Sequence, residues 1–193
     1  MNKSYVTTKQ GDTGKTKLPA GHWISKDSEI IECLGSLDSL RTNLSYLRLQ
    51  ILQSDNPHKI FLSEVLLWLI HCCFITGTQI SDPSGTIIPS NHPKLSQKHL
   101  EQLEQWQAQL EEQIQLPRKF IASASNSVSA YADIVTTVAR EFERRLIALE
   151  KNQPHKTNNV FIPFFNRLSD FLFIIARILD NNNFHTVDYT LIQ

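Results

Sequence analysis

The chain has 193 residues, and its 19 basic and 19 acidic side chains give no formal net charge. This length favours a single domain that is large enough to bury a hydrophobic core. Zero net charge argues against a general affinity for nucleic acid or anionic membranes, so any anion site must be local. The longest apolar stretch, 61–75, is interrupted by polar residues and is shorter than a bilayer span, and the start lacks an apolar signal core. We therefore expect a cytoplasmic protein with no membrane partner.

The cysteines and histidines do not predict a metal site. Cys72 and Cys73 are adjacent in an apolar, helix-like run, and Cys33 stands alone, which indicates reduced and buried thiols. The seven histidines show no paired spacing typical of metal ligands.

The first 27 residues show no sustained periodicity and contain three of the six glycines. They predict an ordered or orderable arm rather than a helix. From Ser28, apolar residues recur every three or four positions, which predicts a long amphipathic helix ending near 55–57. A second helix is expected over 58–76, and because it is apolar nearly all round we place it at the centre of the fold. Residues 79–94 are rich in proline and predict a loop.

Ser96 is expected to cap a third helix, which Pro117 stops. The small, polar stretch 122–127 reads as a connection or a helix start, and a fourth helix follows it to about Lys151.

The fifth helix is expected from near Val160 to Leu179. Three consecutive asparagines, 181–183, are expected to end it. No strand pattern competes, apart from Thr86, Ile87 and Ile88. Five helices with mostly short links predict an all-α, five-helix up-and-down bundle. The predicted single domain covers 1–193, with an arm over 1–27, the bundle over 28–180 and a tail over 181–193.

A dense charge cluster lies on the predicted fourth helix. Arg140, Glu143 and Arg144 are spaced i, i+3 and i+4, which places their charged groups on one face. Two guanidiniums and a carboxylate beside the packed side of a helix can hold a polyanion such as a triphosphate. The ordinary alternative for such a cluster is a solvated face of ion pairs.

The arm contains a stretch that superficially looks like a P-loop, 11–16. Lys9 stands where the first glycine of that motif belongs, and neither the preceding strand nor the following helix is predicted. Two glycines that expose backbone N–H groups among several lysines still favour a phosphate. The alternative is a flexible, hydrophilic N-terminus.

Several short motifs occur here in a recognisable order. They are Thr8-Lys9-Gln10-Gly11-Asp12-Thr13-Gly14-Lys15-Thr16, Lys26-Asp27, Gly35-Ser36-Leu37-Asp38, Arg140 to Arg145, and Asn166-Arg167-Leu168-Ser169-Asp170. In this order the chain resembles the ATP:corrinoid adenosyltransferases of the PduO type over nearly its whole length. The last motif is the most specific.

The resemblance implies a homotrimer of five-helix bundles that binds ATP at subunit interfaces. A corrinoid reduced to Co(I) attacks the ribose 5′ carbon, and triphosphate leaves without a protein nucleophile. The residues implied around the triphosphate and its Mg²⁺ are Thr8, Lys9, Gly11, Asp12, Gly14, Lys15, Thr16 and Lys26. Those implied at the nucleotide from the helices are Arg140, Glu143, Arg144 and Asn166. Phe120 either covers the lower corrin face, as an aromatic does in the family, or packs in the core.

The chain departs from the family pattern at the interface and on the corrinoid side. Thr136 stands where the family has an arginine that pairs with the aspartate at Asp38, and Ser39 replaces a glutamate. Asp38 therefore lacks its usual partner, unless a nearby cation such as Arg41 compensates. The Phe-x-x-Pro-Gly-Gly turn appears as 120–125 without either glycine. Two interpretations follow: a divergent enzyme, or a non-catalytic ATP- or corrinoid-binding bundle that acts as a carrier or regulator.

Overall fold

A computed structural model describes residues 7–19, 21–82, 87, 89, 91–152 and 158–193. The helices are α1 (Glu29–Gln53), α2 (Lys59–Ser81), α3 (Gln97–Glu111), α4 (Ser127–Asn152) and α5 (Phe161–Leu179). The strands are β1 (Lys15–Lys17), β2 (Trp23–Ser25), β3 (Ile121–Ser123) and β4 (His185–Thr186), and a short 3-10 helix covers Tyr189–Ile192.

The five long helices form a bundle in which α1 packs against α2 and α4, α4 against α5, and α5 against α3. Helices α1 and α4 run antiparallel. The end of α4 meets the start of α1, where Asn152 donates a hydrogen bond to Glu29. Towards the other end, the Tyr131 hydroxyl donates to Asn43 Oδ1 at 2.6 Å. The predicted five-helix up-and-down bundle is therefore confirmed.

The most buried helix is α5 and not α2. Every residue from Phe171 to Leu179 except Phe173 is buried, because α5 lies between α4 and α3. On α2, by contrast, the side chains of Ile60 and Phe74 are 60% and 56% exposed. The prediction of a central second helix is wrong, since apolar residues all round a helix do not ensure that every side is covered within one chain.

Helix α2 also extends to Ser81, five residues beyond the predicted end. In the described part of the chain it is the one helix long and apolar enough to cross a bilayer by length and composition. The expectation of a stretch too short to span therefore does not hold for the whole helix. Buried helices of soluble proteins meet the same test, and α2 packs along α1.

The other helix boundaries follow the sequence closely, with one exception. Helix α3 begins after Ser96, as predicted, and His99 Nδ1 accepts a hydrogen bond from the Ser96 N–H. It ends at Glu111 rather than at Pro117, although Ile114 still packs against the core. Helix α5 ends where Asn181 and Asn182 adopt positive φ angles of 50° and 61°, a conformation that asparagine tolerates.

Four short strands were not predicted. In the arm, β1 pairs with β2 in an antiparallel hairpin. Near the other end of the molecule, β3 pairs with β4, so that the segment before α4 is tied to the tail. Segments of two or three residues are too short to show an alternating pattern. Two residues of the predicted strand-like segment, Thr86 and Ile88, lie outside the described residues.

A buried ionic cluster joins α4 to the end of α5. We call Asp133, Arg177 and Asp180 the Arg177 cluster. The Arg177 side chain is 1% exposed, and its Nη2 donates to Asp133 Oδ2 at 2.6 Å and lies 3.1 Å from Asp180 Oδ2. Its guanidinium also lies over the Phe173 ring, 5.2 Å from the centroid. Two carboxylates and an aromatic face thus compensate the desolvation of the cation.

The Arg177 cluster predicts a pH dependence of stability. Burial raises the pKa of Asp133 above its ordinary value of 3.8, against the opposing effect of Arg177. The folded protein therefore holds this proton at pH values where the unfolded chain has lost it. The resulting stabilisation is complete below pH 3.8 and is lost as the pH rises through the raised pKa. The free energy of unfolding of the wild type, minus that of Asp133→Asn, should fall as the pH rises from 3.8 to neutrality.

Asp188→Asn provides a control of opposite sign. Hydrogen bonds from Thr190 lower the pKa of Asp188, so its stabilisation is present above the ordinary pKa and is lost in acid. Denaturant titrations over a pH series measure both differences. A flat difference curve for Asp133→Asn would contradict the account of the Arg177 cluster.

Candidate functional site

The arm folds into a tight turn that leads into its hairpin. The Gly14 N–H donates to Gly11 O at 3.2 Å, and Gly14 O accepts from the Lys26 N–H at 2.9 Å. Gly14 has a φ of +76°, where a side chain would be strained. The turn therefore requires a glycine at this position, and it is joined to Lys26, three residues before the start of α1.

The side chain of Lys26 crosses this turn. Its Nζ lies 2.8 Å from the point where a Cβ on Gly11 would stand, so the missing side chain leaves room for the ammonium group. Lys9 and Lys15 are exposed on the same arm. Three lysines thus lie on the arm and at its junction with α1, and several cations on one short segment are suited to phosphate.

The charge cluster on α4 is not a network of ion pairs. Glu143 Oε1 accepts a hydrogen bond from Asn166 Nδ2 on α5 at 3.1 Å. Arg140 and Arg144 are exposed, and neither makes an ion pair with a residue in the described part of the chain. Of the three arginines in 140–145, Arg145 is the one with an ion pair to a described residue, Glu32 at 3.7 Å. The alternative of a solvated ion-pair face therefore does not describe this surface, which we call the α4 face: Arg140, Glu143, Arg144 and Asn166.

Phe120 lies at a different place. Its side chain is 78% exposed, so the alternative of core packing is wrong. Its carbonyl accepts a hydrogen bond from the Val187 N–H at 2.8 Å. Between this segment and the tail lies a cleft of about 710 Å³, also lined by Arg118, Lys119 and Tyr189. The sequence analysis did not single out Arg118 and Lys119, although two cations directly before an aromatic residue were an available signal.

One chain keeps the arm and Phe120 far apart. The arm leads into the start of α1, which meets the end of α4 at Asn152, whereas Phe120 precedes the start of α4. Helix α4 has 26 residues and is therefore about 39 Å long. The predicted site residues form three separate groups within a single chain.

The departures from the family pattern have local explanations. Asp38 is not without a partner, because Arg41 Nε and Nη2 donate to its Oδ1 at 3.0 and 2.6 Å. Arg41 also lies over the Phe74 ring, 5.0 Å from the centroid. Thr136 is buried, and its hydroxyl donates to Ala132 O at 2.9 Å. The compensation by Arg41 therefore occurs within the chain, in an exposed pair that adds little to stability.

The three cysteines are buried and free, as predicted. Burial raises the pKa of Cys33 and of Cys73 to about 12, and that of Cys72 is also raised. None of these thiols is positioned to act as a thiolate nucleophile. Among the residues that the structure describes, no three His, Cys, Asp or Glu side chains are grouped closely enough to hold a metal ion.

Comparison with known proteins connects these groups to one family. The sequence model described as cobalamin adenosyltransferase matches residues 6–179. A cobalamin adenosyltransferase of Cupriavidus metallidurans is 30% identical over 177 residues, which cover 92% of this chain and 89% of that protein. A corrinoid adenosyltransferase of Bacillus subtilis is 30% identical over 174 residues, covering 90% of this chain and 85% of the relative.

Solved structures show the same fold. A variant of a PduO-type ATP:corrinoid adenosyltransferase from Lactobacillus reuteri, complexed with cobalamin and ATP, superposes with a TM-score of 0.81. It is 23% identical, and the match covers 95% of this chain and 96% of that one. This likeness extends through the bundle and its flanking segments.

Proposed function

This chain belongs to the cobalamin adenosyltransferase family, and we propose that it transfers the 5′-deoxyadenosyl group of ATP to the cobalt of a reduced corrinoid. The α4 face carries the proposal. Arg140 and Arg144 are two exposed guanidiniums one helical turn apart, with no ion pair to a described residue, beside a Glu143–Asn166 pair that is already positioned. Unneutralised cations next to fixed polar groups suit a polyphosphate ligand.

The arm supplies the second half of the nucleotide site. We assign Thr8, Lys9, Gly11, Asp12, Gly14, Lys15, Thr16 and Lys26 to the triphosphate. The close approach of Lys26 to Gly11 supports this role, because it places an ammonium group over the turn. Magnesium fits as an ion that arrives with ATP on phosphate oxygens, since the described residues offer hydroxyls and Asp12 but no cluster of metal-binding side chains.

The reaction needs charge stabilisation and positioning more than a protein nucleophile. The electron pair of Co(I) forms the bond to the ribose 5′ carbon, the bond from that carbon to oxygen breaks, and its electron pair leaves with triphosphate. Cations of the arm and the α4 face stabilise the charge on the leaving group. The thiols with raised pKa values agree with a mechanism that uses no cysteine.

We further propose a cytoplasmic homotrimer in which the arm of one chain meets the α4 face of the next. The length of α4, about 39 Å, supports this assembly, because ATP and the corrinoid must meet although the arm lies beside one end of this helix and Phe120 precedes the other end, with Arg140 near the middle. Phe120 is assigned to the lower face of the corrin ring. Its exposure of 78% leaves the aromatic ring free for such a contact.

A non-catalytic ATP- or corrinoid-binding bundle is the second candidate, because residues 120–125 lack the glycines of the family turn. Incubation with MgATP and chemically reduced cobalamin separates the two. The enzyme should form the cobalt–carbon bond and release triphosphate in equal amounts, measured by absorbance and by ion chromatography. Binding of both ligands without product would favour the carrier or regulator.

Removal of either cation from the α4 face should weaken ATP binding. Arg140→Ala and Arg144→Ala should each cost about 1.5–3 kcal/mol, since a charge-assisted hydrogen bond to phosphate is lost. Isothermal titration calorimetry measures the effect. Arg145→Ala is the matched control, because this neighbouring arginine is paired with Glu32. Equal losses for all three variants would indicate a general effect of positive charge rather than a defined site.

Complementation tests whether two chains build one site. Lys15→Ala damages the arm and Arg140→Ala damages the α4 face, so each variant alone should have low activity. Co-expressed at equal levels, they should regain about a quarter of wild-type activity, because random trimers then contain some sites with both halves intact. A site within one chain would always keep one defect, and the mixture would stay as inactive as its parts. Light scattering that finds a monomer would also contradict the assembly.

A further inference from the structure

The Arg177 cluster extends to the segment that carries Phe120. The Ser125 N–H and the Ser125 hydroxyl both donate to Asp180 Oδ1, at 2.7 and 2.8 Å. Asp180 is 1% exposed, and its other oxygen faces Arg177. Beside this contact, Asn126 Nδ2 donates to Leu179 O at 2.8 Å. Residues 125 and 126 are thus fastened to the end of α5 by donors from both backbone and side chain.

The same cluster contacts the tail. The Phe184 ring lies 5.9 Å from the guanidinium of Arg177. Directly after it, β4 pairs with β3, and the Val187 N–H donates to the carbonyl of Phe120. Both walls of the cleft of about 710 Å³ therefore begin within a few residues of one buried cation. A change in the Arg177 cluster should therefore alter the position of both walls of the cleft.

The position of Ser125 gives its side chain a specific task. Ser125 is exposed, and its hydroxyl donates to the carboxylate and to the backbone carbonyl of Asp180. Its other side-chain hydrogen bond among the described residues is accepted from the neighbouring Asn126. A hydrogen bond to a desolvated carboxylate is stronger than one between neutral groups. Glycine at this position would keep the backbone donor and lose the hydroxyl donor.

We propose that Ser125 and Asp180 are positioning residues for the corrinoid. Their hydrogen bonds hold the Phe120 segment against the end of α5, and Arg177, which pairs with Asp180, contacts the tail on the other side of the cleft. This inference rests on the proposed function, and in particular on the assignment of Phe120 to the corrin ring. Ser125 and Asp180 themselves need not touch the substrate. Their effect should therefore fall on the corrinoid and spare ATP, because the arm lies beside the other end of α4 and Arg140 is about 20 Å along the helix from its start.

The test is the variant Ser125→Ala, with separate titrations of the two substrates. The value of kcat/KM for the corrinoid should fall about tenfold, as expected for the loss of one hydrogen bond to a charged acceptor. This fall should come from a higher KM for the corrinoid, with kcat little changed, while KM for ATP stays within about twofold of the wild-type value. Ser125→Thr keeps the hydroxyl and should restore the wild-type value. Ser127→Ala, an exposed serine at the start of α4, is the matched control.

Hydrogen exchange without substrate tests directly whether the Ser125–Asp180 hydrogen bonds hold the Phe120 segment and the tail in place. In Ser125→Ala, the amides of β3, β4 and Val187 should exchange faster, while those of the arm hairpin stay unchanged. A loss shared equally by both substrates, or faster exchange throughout the bundle, would show a general structural role and overturn the proposal. Wild-type values in Ser125→Ala would also overturn it.

The proposed function can fail separately. If the wild type forms no cobalt–carbon product and binds no corrinoid, the proposed function is wrong, and so is the role of Ser125 and Asp180 in corrinoid binding. If the wild type is active and Ser125→Ala matches it, only the positioning role is wrong.

Discussion

The antiparallel packing of α1 against α4 is the constraint on which the arrangement of functional groups depends. It brings the arm to one end of α4, beside Asn152, and leaves Phe120 at the other end. The Tyr131–Asn43 hydrogen bond joins the two helices, and the exposed Arg145–Glu32 pair also lies between them. Because α4 has 26 residues and is about 39 Å long, no loop movement of a few residues would bring its two ends together in one chain. The separation of the arm from Phe120 within one chain is thus a direct result of helix length, and the proposed association of chains would overcome it.

Much of the bundle was predictable because the information is local. Apolar periodicity located the five helices, Ser96 marked the start of α3, and the asparagines after Leu179 marked the end of α5. The strands were missed because two or three residues carry no pattern of their own. The burial of α2 was misjudged for another reason: composition states how apolar a helix is, but it does not state which sides the other helices cover, and Ile60 and Phe74 lie on sides that stay exposed.

In the candidate site, too, the local relations could be predicted from the sequence and the long-range contacts could not. Arg140, Glu143 and Arg144 share a face because helical spacing requires it, and the motif resemblance connected that face to Asn166, which the structure places against Glu143. The contact between Ser125 and Asp180 joins residues 55 positions apart, and no periodicity reports it. The apparent loss of a turn glycine was therefore visible in the sequence, but the new hydrogen bonds of the serine were not. Asp38 is a related case, because Arg41, one helical turn away, replaces the ion-pair partner that the family pattern places at Thr136.

The buried cysteines give this protein a set of internal reporters. Cys33 belongs to α1, and Cys72 and Cys73 belong to α2, two helices that pack against each other. A thiol with a pKa near 12 and no access to solvent reacts with alkylating reagents only after its surroundings open. The alkylation rate of the wild-type chain therefore measures how often α1 and α2 separate, without any introduced label. Mass spectrometry of the modified chain could follow that breathing motion while the arm and the α4 face remain chemically untouched.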